Sequence, residues 1–155
     1  MATRNIVIEG DPILRKKSRK IEKFNERLFE LIDDMKETMQ QQDGVGLAAV
    51  QVGILKQVII VDSGDEILEL INPEIIEKFG VQEDVEGCLS CPGEYGITSR
   101  PLKVKVKALD RFGKEKIYEA EGLVARAFCH EIDHLSGILF KDHAIRMLDE
   151  SEYED

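Results

Sequence analysis

The chain has 155 residues, of which 43% are hydrophobic, enough to bury a core and sized for one domain over residues 1–155. Its formal net charge of -10 is the wrong sign for phosphate contacts and excludes nucleic acid as a substrate. No apolar run approaches the ~18 residues of a membrane span, residues 1–11 lack a basic-then-apolar export pattern, and three cysteines are too few for a disulfide framework, so a cytoplasmic protein with no membrane partner and with free or metal-bound thiols is expected.

Ile6, Ile8 and a Gly10-Asp11-Pro12 turn open the chain, and the basic run from Arg15 to Lys20 reads as a solvated surface. From Phe24 to Met39 the residues Phe24, Leu28, Leu31, Ile32, Met35 and Met39 recur every three or four positions, which predicts an amphipathic helix packed on the core. The next stretch, Gly44-Val45-Gly46-Leu47-Ala48-Ala49-Val50-Gln51-Val52-Gly53, is small and almost uncharged. By itself it reads as a tight turn into a buried element, with Gln51 a lone polar side chain in apolar surroundings.

Val58–Val61 and Ile67–Ile71 are β-rich runs joined by Asp62-Ser63-Gly64-Asp65, which predicts a hairpin. Pro73 is expected to break the chain's run after Ile71, with Ile75, Ile76 and Val81 in a further strand. Cys88 and Cys91, in Glu86-Gly87-Cys88-Leu89-Ser90-Cys91-Pro92-Gly93, form C-x-x-C, which alone could be half of a structural zinc site or a redox pair. Leu102–Ala108 alternates strictly, placing Lys103, Lys105 and Lys107 on one face and four apolar residues on the other, so this strand has one wet side. Asp110–Gly113 then turns the chain toward Ile117 and Tyr118. Residues 148–155 read as a solvated, frayed acidic end.

Between these lies Cys129-His130-Glu131-Ile132-Asp133-His134, which contains H-E-x-x-H. Two histidines four apart lie one above the other on a helix, so both imidazoles can reach one metal ion, with the intervening Glu beside it as a general base. At 100° per residue, Leu123, Val124, Ala125, Ala127, Phe128, Ile132 and Leu135 fill one arc, and Arg126, Cys129, Asp133 and Ser136 the other. His130 and His134 fall at the edge of the apolar arc and Glu131 well inside it, where a carboxylate is costly unless something compensates it. Gly137 can supply the left-handed residue that ends the helix. Strands around two helices make the fold α+β: mixed, mainly antiparallel strands packed around a central H-E-x-x-H helix, with an N-terminal amphipathic helix.

A catalytic site of this kind needs a third protein ligand and an open position. The metzincin spacing would put that ligand at Phe140, which cannot serve, and a downstream Glu would have to come from Glu150, Glu152 or Glu154 in the acidic end. His143 lies beyond the helix-ending Gly137 and reads as surface. The better candidate is a thiolate upstream, in the C-x-x-C segment. A closed site using Cys88, Cys91, His130 and His134 together would leave no place for water and would make the chain a non-catalytic metal-binding or thiol-redox module. Glu131 would then be an unexplained buried charge.

Three segments, Gly44-Val45-Gly46-Leu47-Ala48-Ala49-Val50-Gln51, Glu86-Gly87-Cys88-Leu89-Ser90 and His130-Glu131-Ile132-Asp133-His134, resemble the three motifs of the peptide deformylase family in their family order. The resemblance implies an enzyme that removes the N-formyl group from the starting methionine of newly made proteins, releasing formate. It implies Cys88, His130 and His134 as metal ligands, Glu131 as acid and base, and Gln51 with the backbone N–H of Leu89 as holders of the developing oxyanion. It also implies Fe(II) as the metal, with zinc, nickel or cobalt able to take its place.

Within that picture Val45, Gly46 and Gly87 would pair with the substrate backbone as an added strand, and the partners are N-formylmethionyl nascent polypeptides. Leu123 and Ala127, with Val45 and His130, are the expected methionine pocket. A monomer is expected, and ribosome association is left open. Glu86 either orients a ligand histidine or is an ordinary surface residue. The chain departs from the family pattern at Asp84, Cys91 and Arg126, where the family often has apolar residues.

Overall fold

A computed structural model describes residues 2–152. Its first helix, α1 (Glu26–Gln41), starts two residues later than the periodicity predicts, because Asn25 caps it: its side chain accepts the Leu28 N–H at 3.3 Å. Eight strands complete the sheets: β1 (Gly46–Ala48), β2 (Val58–Asp62), β3 (Ile67–Phe79), β4 (Gln82–Cys88), β5 (Cys91–Arg100), β6 (Lys103–Leu109), β7 (Glu115–Glu121) and, after the second helix, β8 (Ala144–Met147). That helix, α2 (Gly122–His134), carries H-E-x-x-H. One sheet runs β1-β2-β3-β6-β7 and the other β4-β5-β8, every pair antiparallel, while Arg19 and Lys56 form an isolated parallel bridge. The α+β expectation holds.

The five-stranded sheet lies between the helices, and alternation along β2 decides what each face meets. Ile59 and Val61 pack toward Phe128 of α2, whereas Val58 and Ile60 pack toward Ile32, Met35 and Met39 of α1. This is why the segment is apolar without a break. Of the four apolar residues expected on one face, Val104, Val106 and Ala108 of β6 are buried, while Leu102 precedes the strand and is exposed; Lys105 and Lys107 reach Glu77 at 2.7 Å and Glu115 at 3.3 Å on the wet side.

Three expectations need correction. Pro73 does not end its strand: Asn72 takes φ +51° and the β3–β6 register slips between Ile71 and Glu74, so the proline sits in a bulge and β3 runs on to Phe79. Val81 lies in the turn between β3 and β4 rather than in a strand. On α2, Arg126 and Cys129 are buried rather than outward-facing, because β4 and β5 cover the side of the helix that a single-faced wheel leaves to solvent. At the acidic end, Leu148 N–H donates to the Tyr95 carbonyl at 2.8 Å and Arg146 pairs with Glu152 at 2.9 Å, while residues 153–155 lie outside the described residues.

The exit from α2 is braced by the start of the chain. Gly137 has φ +75°, as its expected role requires, and a Cβ there would stand 2.5 Å from the Arg15 carbonyl oxygen. Arg15 also pairs with Asp142, and Ser18 N–H donates to the Leu135 carbonyl at 2.9 Å. Gly64 has φ +94° but open space around it. In denaturant titrations Gly64→Ala should therefore cost about 1 kcal/mol and Gly137→Ala at least ~2 kcal/mol, since the second adds a backbone clash to the same left-handed strain.

Candidate metal centre

His130 and His134, one turn apart on α2, are both buried, and Cys88 reaches them from the end of β4, just before the Leu89-Ser90 turn into β5. Cys88 Sγ lies 3.4 Å from His134 Nε2, which lies 3.2 Å from His130 Nε2, and the three ligand atoms fall within 4.8 Å of one another. Three electron-pair donors this close can share one cation.

The surroundings select that cation. His130 Nδ1 donates to Glu86 Oε2 at 2.6 Å, which fixes the ring's tautomer and leaves the Nε2 lone pair facing Cys88 and His134. Burial disfavours charge on His130, but the neighbouring Glu131 and Glu86 carboxylates outweigh it and hold its pKa above the usual value. Burial keeps His134 neutral, the form that ligates. Phe140, at the metzincin ligand position, instead stacks on the His130 ring with centroids 6.2 Å apart. The donor set of one thiolate and two imidazoles suits a divalent transition metal.

Glu131 is 4% exposed, and its Oε1 has no hydrogen-bond partner among the described residues. Burial pushes its carboxyl up to about 7, the range of a group that can both take and give a proton near neutrality. Its other oxygen lies against Gly46: a Cβ on that glycine would stand 2.6 Å from Glu131 Oε2. Gln51 is held from both ends, its Oε1 accepting from Ala48 N–H at 3.0 Å and its Nε2 donating to Ser90 Oγ at 3.1 Å, with Cys88 Sγ 3.5 Å away. The opening segment laces these turns together, Val7 N–H donating to the Gln51 carbonyl and Glu9 N–H to that of Ser90.

A cleft of about 510 Å³ opens on this cluster. Val45, Gly46, Gln51, Gly87, Cys88, Leu89, Leu123, Ala127, His130 and Glu131 all line it, and His134 lies behind them with no exposed surface. Its walls include two sheet edges, since β1 and β4 are each terminal in their own sheet. The Val45 carbonyl accepts from Asp62 N–H, so that carbonyl is turned to β2 rather than to the cleft. Leu123 stands at the rim, 63% exposed.

The closed four-ligand arrangement does not form. Cys91 lies with Glu9 and Glu94, whose carboxylates share the Lys141 ammonium at 2.8 and 2.9 Å, and not among the histidines. Glu86 is buried rather than an ordinary surface residue, and its partners Thr98, Arg100 and Arg126 escape a reading of motifs. Arg126 alone carried a signal, standing one helical turn before His130.

The model of one family, described as polypeptide deformylase, matches residues 3–150. The chain belongs to that family. Among its relatives, the peptide deformylase of Caldicellulosiruptor bescii is 57% identical over 99% of this chain and 93% of its own. The crystal structure of peptide deformylase from Thermotoga maritima superposes with a TM-score of 0.90 at 41% identity, covering 93% of this chain and 99% of that one. The peptide deformylase from Synechococcus elongatus, solved in complex with actinonin, gives 0.90 at 39% identity over 96% and 82%. As a family member the chain is a metal-dependent hydrolase that removes the N-formyl group from nascent peptides.

Gly46 tests how tightly the site is built. Gly46→Ala should leave the fold and the bound metal in place but displace Glu131, lowering kcat/KM for a formylated peptide by about 10²-fold or more, as expected for a misplacement near 1 Å.

Proposed function

We propose that Cys88, His130 and His134 hold one divalent ion, Fe(II) in the native enzyme, at a site that zinc, nickel or cobalt can also occupy. The observation that carries this is the convergence of one sulfur and two imidazole nitrogens beside a buried, otherwise unpartnered carboxylate oxygen in an open cleft. Such an ion supplies Lewis acidity, which can bring the pKa of a water from ~15.7 to about 7.

The rest is work for the chain's own residues. Glu131 takes a proton from the attacking water as oxygen adds to the formyl carbon, then delivers it to the departing amine nitrogen, so that the C–N bond breaks to formate and a free N-terminus. Gln51, clamped between Ala48 N–H and Ser90 Oγ, offers its amide to the developing oxyanion together with the Leu89 backbone N–H, a donor of the kind worth ~2.7–4 kcal/mol in the transition state. The peptide lies as an added strand between the edges of β1 and β4, read through the main chain at Gly46 and Gly87. Val45 contributes its side chain, with Leu123, Ala127 and His130 enclosing the methionine.

Residues 1–155 form a single catalytic domain in this reading, acting as a monomer on N-formylmethionyl chains in the cytoplasm. No helix among the described residues is long and apolar enough to cross a membrane, in keeping with that location. Anaerobic purification followed by metal analysis should return one iron per chain. On the same preparation Glu131→Gln should retain the metal while formate release from a formyl-methionyl peptide falls by ~10²- to 10⁴-fold, and full activity in that variant would overturn the role given to Glu131.

A further inference from the structure

Arg126 is the unexpected residue of α2. It is 4% exposed, on a helix whose other buried side chains near the site are apolar, cysteine or part of H-E-x-x-H. Its Nη1 donates to Glu86 Oε1 at 2.8 Å and to Thr98 Oγ1, and its Nη2 to the Thr98 carbonyl at 3.3 Å. Thr98 Oγ1 donates in turn to the same Glu86 Oε1 at 2.8 Å. Arg100 bridges both oxygens, at 3.1 and 2.6 Å, and His130 Nδ1 takes Oε2.

The two carboxylate oxygens therefore have different tasks. Oε2 serves the imidazole, Oε1 is gripped by Arg126 and Thr98, and Arg100 spans the two. The last torsion of a glutamate is soft, and without Arg126 Oε1 would be left to Thr98 and the 3.1 Å Arg100 contact, both from β5, so the carboxylate could twist relative to α2 and carry the His130 ring with it. A planar guanidinium on Oε1 removes that freedom. Arg126 and His130 are also four residues apart, on one face of one helix, so both ends of the carboxylate are referred to the same rigid element.

We propose that Arg126 is a positioning residue for His130, acting through Glu86 to set the direction of the imidazole Nε2. This rests on the reading of His130 as a metal ligand. A guanidinium that only anchored the β4–β5 hairpin would affect stability and leave the metal's coordination alone.

Cobalt(II) separates these roles, because a thiolate–cobalt charge-transfer band reports Cys88 and the d–d bands report ligand geometry. In the full-length protein, R126M, folded by circular dichroism, should bind cobalt 10- to 100-fold more weakly in competition with a chelator, with shifted d–d bands. In the loaded enzyme kcat should fall more than KM rises, and R126K, which keeps the charge without the fork, should recover only part of the loss. Wild-type cobalt affinity and d–d bands in R126M would overturn the proposal. Should R126M fail to fold, Thr98→Val decides in its place, since it removes both a second donor to Oε1 and the hydroxyl that Arg126 also holds: weakened cobalt binding supports the proposal and wild-type binding overturns it. A wild-type protein with no thiolate–cobalt band would instead refute the ligand assignment itself, and the proposal with it.

Discussion

A carboxylate removed from water must be matched bond for bond, and Glu86 is the place where this chain meets that demand. Burial alone would raise its pKa, yet hydrogen bonds from His130 and Arg100 hold it well below the ordinary carboxylate range. The elements that meet there come from three parts of the sequence: β4 supplies the carboxylate, β5 supplies Thr98 and Arg100, and α2 supplies Arg126 and His130. Arg100 continues to Asp133 at 2.6 Å, so two guanidinium groups face two carboxylates. Neutral sums of this kind let charge be buried. They also fix the distance between the small sheet and the helix, and with it the reach of Cys88 toward the two imidazoles.

How much of this was legible in advance depended on whether the signal was local. H-E-x-x-H places two rings on one helix face whatever the rest of the fold does, and the strict alternation of Leu102–Ala108 can satisfy only a half-buried strand. The 3.6-residue pattern of α1 was equally plain, its start shifting only because Asn25 offers a better cap than Phe24. What stayed hidden was tertiary. Nothing near Glu86 announces that Arg100 and Arg126 will arrive, and a helical wheel assumes one buried face where α2 is covered on two. Pro73 misled for a related reason: it forbids a ladder bond but not a strand, provided a bulge leaves that position unpaired. The place of the third ligand came from family likeness, since spacing alone admitted a closed site with Cys91.

The cleft is shaped as much by missing side chains as by those present. At Gly46 a methyl group would collide with Glu131, and at Gly87 it would stand 2.7 Å from the Tyr95 ring. Backbone thus comes close to the reacting centre on two sides, with the polar main chain of two sheet edges available to an extended ligand. A surface made this way takes hold of features every peptide has. On the proposed reading, selectivity for the first residue is left to the few apolar side chains at Val45, Leu123 and Ala127.

The bracing of α2 by the opening segment has a temporal side. Val7 and Glu9 hold the Gln51 and Ser90 turns, Arg15 and Ser18 close over the end of the helix, and Cys88, His130 and His134 stand 42 and 4 residues apart along the chain. Contacts of such separation close late in folding. A growing polypeptide in which residues 130–142 are not yet made lacks both imidazoles, the Glu131 carboxylate and the Asp142 partner of Arg15, so the cleft cannot close until nearly all of the described chain exists.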